Sequence, residues 1–403
     1  MKLLAPASLS LTDFDITEAR GFLPSQDPSS TLSQSPVLQS LGHQLPKLLG
    51  ARQVRQSVKE LDMKIPHEDG EWDLKAYRDA DRVLSFVAHG YIWENPDHPA
   101  YRLPANLARP WVQVSKKLGR PPVLSYASYA LDNWARLDNH QPIQLDNIVL
   151  LQNFLGGLDE EWFVLVHVDI EAKAGRAMAG VIEALESVRG NNPDQVADQL
   201  WIIASAQEQM CHSLDRMTER CDPYIYYNRV RPFIHGWKDN PALPQGVVYE
   251  GVEDFQGCPQ YFRGETGAQS SIIPALDAAL GIQHTEDPLT HYLLEMRQYM
   301  PPSHRRFIEA LEQQQDEQNR PLLAGYVSDH HARHSELFQA YRSCVQLLAR
   351  FRAKHLEYAG TYIYHQRQHT KSNSTVVGTG GTPFMTYLRK HLEETEAMMN
   401  RFV

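Results

Sequence analysis

"WFVLVHVDIEAKAG", residues 162–175, is the run on which the fold class turns. Val164, Val166, Val168 and Ile170 alternate as they would along a half-buried strand, where successive side chains point to opposite faces. The same run, apolar almost throughout, fits a helix equally well. It is the one segment that resists an all-helical reading of the chain. His167 interrupts it, and an imidazole in such surroundings is either a core residue with its hydrogen bonds met or a ligand.

On either side the patterns are helical. "WDLKAYRDADRVLSFVAHGYIW" (72–93) puts Leu74, Tyr77, Leu84, Val87 and Tyr91 on one face. "NNPDQVADQLWIIASAQEQMCHSLDRM" (191–217) offers Asn192 as a cap and Pro193 in the first turn, where a missing N–H costs nothing. Val196, Leu200, Ile203, Met210, Leu214 and Met217 then mark a long buried face. A further helix runs through "SELFQAYRSCVQLLARFRAKHLEYAGTYIYHQ" (335–366). The first thirty-five residues, rich in Ser, Pro and Asp, read as an irregular lead-in. Prolines at 96, 99, 104, 110, 121 and 122 break the helical pattern, which suggests a boundary between a smaller amino-terminal domain and a larger carboxy-terminal one. "RQHTKSNSTVVGTGGTPF" (367–384), polar and rich in Gly and Thr, reads as a mobile loop before a last helix.

The formal charge of −10, without a dense Lys/Arg block, argues against a surface that tracks phosphates, so no nucleic-acid partner is expected. The apolar stretch at the amino terminus is too brief for a secretory signal, and no window reaches the ~18 apolar residues needed to cross a bilayer. A soluble, cytoplasmic protein is the expectation, with no membrane partner. Cys211, Cys221, Cys258 and Cys344 are scattered without a CxxC or CxxCH pair, which points away from zinc ribbons, iron–sulfur sites and covalent haem.

Five further stretches carry possible chemistry. His355 falls in the apolar stripe of Leu348, Phe351, Tyr358 and Tyr362, with Arg352 one turn earlier; a buried iron porphyrin needs one imidazole below the metal and cations for its propionates. "DHHARH" sets His330 and His334 at i, i+4, and "HQRQH" does the same with His365 and His369, the spacing at which two imidazoles share a metal. His331 stands where a zinc peptidase needs glutamate, and no Glu-x-x-His pair for a di-iron bundle occurs. "PYIYYNRVRPFIHGW" (223–237) gathers aromatics around Arg229 and Arg231: either a tyrosine-rich packing seam, or a pocket in which a guanidinium grips a carboxylate. "FRGETGAQSSIIPALDAALGI" (262–282) is a Gly-containing loop leading into a helix that Ser270 or Ser271 could cap.

Taken together, "SKKLGRPPVLSYASYALDNW" (115–134), "WFVLVHVDIEA" (162–172), "RVRPFIHGWKDNPALPQGVVYEGV" (229–252), "GAQSSIIPALDAALGI" (267–282), "MRQYMPPSHRRF" (296–307), "FRAKHLEY" (351–358) and "GTGGT" (378–382) resemble the indoleamine 2,3-dioxygenase family, in that family's order and nearly its spacing. The resemblance implies an all-α fold: a small, mostly helical domain, 1–118, on a large helical domain, 119–403, that encloses haem. It makes "WFVLVHVDIEA" a helix. It implies one haem b per chain with His355 as the proximal iron ligand. Asp277 and Arg352 would stand near a propionate, and the loop Gly264, Glu265, Thr266, Gly267, Ala268 would cover the haem edge. Arg231 would grip the substrate carboxylate, Tyr126 and Phe163 would wall the pocket, and Thr379 would sit on a segment closing over substrate. The implied reaction adds O2 across the indole C2–C3 bond of L-tryptophan to give N-formylkynurenine. No electron is consumed per turnover, so no flavin or nicotinamide motif is required. The pocket departs from the family's animal enzymes, which carry serine where His167 stands; the related tryptophan 2,3-dioxygenases carry histidine on that distal side. Tyr226 and Tyr227 replace phenylalanines. A catalytic role for His167 beside Arg231 follows, with the imidazole bonded to the indole N–H. The rival readings are another indole substrate in the same fold, a haem sensor that leaves tryptophan untouched, and a metal hydrolase built on "DHHARH".

Overall fold

The computed structural model describes residues 8–32, 35–61, 72–366 and 384–399. Within them the chain is all-α: α1 (Pro36–Ala51), α2 (Val54–Lys59), α3 (Leu74–Trp93), α4 (Ala105–Leu118), α5 (Leu158–Arg189), α6 (Pro193–Asp215), α7 (Pro223–Ile225), α8 (Arg231–Ile234), α9 (Ile272–Leu280), α10 (Pro288–Met296), α11 (Pro302–Glu312), α12 (Leu322–His330), α13 (Ser335–Ala359) and α14 (Phe384–Met399). Strand is confined to two short pairs. Arg102–Leu103 lies parallel to Val248–Tyr249, and Trp134–Arg136 lies antiparallel to Ile148–Leu150.

The alternating run is a helix, the central part of the 32-residue α5. Val164, Val166, Val168 and Ile170 are all buried, because α5 is covered on nearly every face and alternation then says nothing about which side meets water. Asp159, Glu160 and Glu161 in its first turn suit the positive end of the helix dipole. Helix α6 follows antiparallel and α13 packs on it. Asn192 caps α6 through the peptide N–H of Gln195, with Pro193 in the first turn, and all six apolar residues of the predicted face are buried.

Three expectations shift. Leu74 is 49% exposed, because it occupies the first position of α3, outside the packed turns. The Pro-rich passage contains a full helix, α4, with Pro110 inside it. The lead-in is irregular but packed: Ile16, Phe22 and Leu23 are buried, and Gly21 (φ 58°) lies so close to α5 that a Cβ there would be 2.0 Å from the carbonyl oxygen of Glu171.

Three five-residue π-helical turns punctuate the helices, Ala127–Leu131, Tyr226–Val230 and Gly360–Tyr364. Each adjoins predicted site residues. Tyr126 precedes the first, Tyr226 and Tyr227 open the second just before Arg231, and the third extends α13 beyond His355. Such turns insert one residue into the helical ladder and re-aim the side chains that follow.

Candidate functional site

The apolar stripe of α13 divides. Leu348 is in the core, whereas Phe351, His355, Tyr358 and Tyr362 line a cavity of about 560 Å³, within the size range of cofactor pockets. His355 has an accessible surface, and that surface opens on this cavity. Burial, with the nearby His167, pulls its pKa down to about 4, so the imidazole is neutral and keeps a lone pair for a metal. A bare neutral imidazole, largely apolar walls and the Arg352 guanidinium at one end are what an iron porphyrin requires, and the residues present fit it.

Phe163 and His167, one turn apart on α5, line the same cavity with Tyr226. The Nδ1 of His167 lies 2.7 Å from the carbonyl oxygen of Phe163. A carbonyl only accepts, so Nδ1 carries the proton and Nε2 keeps its lone pair. The ring is held by Phe163 at 4.7 Å and, edge-on, by Tyr126 at 5.9 Å. Burial lowers its pKa, which keeps it neutral.

Other predicted residues stand behind this surface. Tyr126 is buried, and its hydroxyl donates to Oε1 of Glu171 at 2.9 Å. Ser270 Oγ donates to the same oxygen at 2.8 Å, and it does so instead of firmly capping α9. Burial raises the Glu171 carboxyl to about 7 against those two hydroxyls. Tyr227 and Arg231 are fully buried, with the guanidinium carbon 5.2 Å from the Tyr227 ring centre. Thr379 lies outside the described residues.

In the loop, Glu265, Thr266, Gly267 and Ala268 line the cavity. Gly264 is pinned beneath: a Cβ there would sit 2.1 Å from the nitrogen of Gly236, so only glycine allows the two backbones to cross. Burial raises the Glu265 carboxyl to about 8.

At the other end of the cavity the Arg352 guanidinium meets Asp277 at 2.6 Å and also donates to Thr395 of α14. His284 extends this group. Its Nε2 is 3.2 Å from Asp277 and its Nδ1 is 2.5 Å from Glu394 of α14. Burial opposes protonation, but the two carboxylates outweigh it and raise the His284 pKa, and Glu394 is held down at about 2. His284 is thus an imidazolium clasped between two anions. His284, His391 and Glu394 bring ligand atoms within 4.8 Å of one another, yet both nitrogens of His284 are already used and its ring stacks on His391 at 4.1 Å. In "DHHARH", His330 Nδ1 bonds the Tyr326 carbonyl and its ring stacks on Tyr326, which gives it a structural role. Glu171, His284, His391 and Glu394 are the residues that sequence reasoning missed. Only His391 and Glu394 are neighbours in the chain, three residues apart on α14; His284 and Glu394 stand 110 residues apart.

The sequence model described as indoleamine 2,3-dioxygenase matches residues 10–398. Human indoleamine 2,3-dioxygenase 2 is 32% identical over 402 residues, covering 96% of this chain and 95% of that protein. Indoleamine 2,3-dioxygenase 1 of Rattus norvegicus is 34% identical over 364 residues, covering 87% and 86%. The indoleamine 2,3-dioxygenase of Saccharomyces cerevisiae is 32% identical over 433 residues, covering 96% and 93%.

Proposed function

Because this chain belongs to the indoleamine 2,3-dioxygenase family and is a dioxygenase, we propose that it inserts both atoms of O2 across the indole C2–C3 bond of L-tryptophan, forming N-formylkynurenine. The carrying observation is the cavity itself, with the bare imidazole of His355 on one wall and the acceptor nitrogen of His167 on another. Haem b would be held by His355, by Arg352 and Asp277 near its propionates, and by the loop Gly264 to Ala268. When bound, haem supplies the activation of triplet oxygen that a closed-shell indole cannot achieve alone.

The protein's own part is placement. His167 Nε2, fixed as an acceptor by the Phe163 carbonyl, receives the indole N–H. Phe163 and Tyr226, with ring centres 4.6 Å apart, give the indole an aromatic wall, and Tyr126 braces His167 from behind. Arg231, buried behind the cavity wall against Tyr227, would have to turn onto the cavity to take the substrate carboxylate through its planar fork. Thr379 belongs to the segment assigned to closing the site. The same proposal divides the chain into domains at 118/119 and places it in the cytoplasm; no helix among the described residues is long and apolar enough to cross a membrane. The test is the purified, haem-loaded, reduced protein mixed with tryptophan in air. N-formylkynurenine should form, and its absence with another indole consumed would shift the assignment to that substrate.

A further inference from the structure

We infer that the Tyr226 hydroxyl is the donor that meets the substrate carboxylate on the cavity wall, which makes Tyr226 a specificity-determining residue for an indole amino acid. This rests on the reading above that the cavity takes such a substrate. A carboxylate brought among largely apolar walls needs a donor there. Arg231 stands behind the wall, against Tyr227. Ser270 and Arg352 line the cavity but are already committed, the one to Glu171 and the other to Asp277 and Thr395.

Tyr226 differs from these and from its neighbours. Tyr358 and Tyr362, which also line the cavity, spend their hydroxyls on the backbone carbonyls of Asp215 and Cys221. The Tyr226 hydroxyl makes no hydrogen bond among the described residues, yet it is not sealed in: the residue keeps 6% of its surface, and that surface opens on the cavity beside Phe163 and His167. An unbonded hydroxyl in an aromatic wall is a cost that a ligand can remove. Burial pushes the phenol pKa well up, so the group keeps its proton and can donate it to a bond.

Its position favours an anion. Tyr226 opens the second π-helical turn, and the peptide N–H of Arg231 donates to the Tyr226 carbonyl across that turn. The two residues are thus tied together on one short helical segment. The positive charge of Arg231 is felt at the phenol and lowers its pKa, and the phenol in turn raises that of Arg231. Glu265, whose carboxyl burial holds protonated near neutral pH, sets no full negative charge against an incoming carboxylate. A carboxylate bonded to the Tyr226 hydroxyl therefore gains from Arg231 even while that side chain stays in its place. An indole amine presents nothing for this donor to bond.

The test compares kcat/KM for L-tryptophan and for tryptamine, which lacks only the carboxylate, in haem-loaded wild type and Tyr226→Phe, a variant that keeps the ring packed on Phe163. The tryptophan-to-tryptamine ratio should fall by at least about tenfold in the variant, the scale of one hydrogen bond to a charged group, and mainly through KM for tryptophan. An intact ratio overturns the inference, whether the variant matches the wild type or falls on both indoles alike, because a contact with the ring or the ammonium, or a structural role, touches both substrates. Oxidation of either indole upholds the reading of the site while the ratio judges Tyr226. If neither is oxidised, that reading fails, and the same ratio taken from dissociation constants by calorimetry still judges Tyr226. A wild type that binds neither indole overturns the inference as well.

Discussion

Replacing His167 with alanine should abolish the enzyme's distinction between tryptophan and 1-methyltryptophan. The wild-type imidazole cannot adapt to a methylated indole nitrogen. Its Nδ1–H is committed to the Phe163 carbonyl at 2.7 Å, and the ring is wedged between Phe163 and Tyr126, so Nε2 remains an acceptor with nothing to accept. Leaving a buried acceptor unsatisfied costs about 1–3 kcal/mol, which is about five- to 150-fold in kcat/KM. The methyl group adds a steric penalty in the same direction. Steady-state product formation with both substrates, in wild type and His167→Ala, measures this. The wild type should prefer tryptophan within or above that range, and the variant should fall towards parity while retaining haem. Comparable turnover of both substrates by the wild type, or an unchanged preference in the variant, would refute the reasoning.

Arg231→Lys should lower kcat/KM for tryptophan by about ten- to a hundredfold, because an ammonium cannot reproduce the two parallel bonds of a guanidinium; steady-state kinetics at constant haem content checks it. The His284 clasp should loosen α14 at alkaline pH. A raised folded-state pKa means that its contribution is present below the ordinary histidine value and is lost as pH rises through the folded value, while Asp277 and Glu394, both lowered, stay ionised down to strongly acid pH. Limited proteolysis of residues 384–399 should therefore quicken as pH rises above the ordinary histidine value of about 6.5 in the wild type, and His284→Gln should remove that dependence by being cut readily throughout.

Helices that meet the core on one side were legible in the sequence. Asn192 and Pro193 announced the start of α6, and the spacing from Val196 to Met217 gave its buried face, because a one-sided helix must repeat its apolar residues with the helical period. Helix α5 could not be read that way: with Val164, Val166, Val168 and Ile170 all covered, neither period is enforced, and only the likeness to a family settled it. Of the proximal-side candidates, His355 and Arg352 were legible from the α13 stripe and Asp277 only through the family likeness; the structure gathers all three on the cavity. Other parts lay beyond local pattern. Tyr126 and Arg231 stand behind the wall and not on it, and the π-helical turns that set the facing of Tyr226 leave no periodic trace over five residues. The Glu171 and His284 groups are assembled by tertiary packing of segments far apart in the chain.

The most direct measurement is an absorption titration of the purified chain with haem, beside His355→Ala. The wild type should take up one equivalent and show the Soret band of a histidine-ligated haem, and the variant should fail to hold the pigment stably. A wild type that stays colourless with haem in excess, or a His355→Ala protein with the same spectrum and activity, would contradict the assignment on which the rest depends.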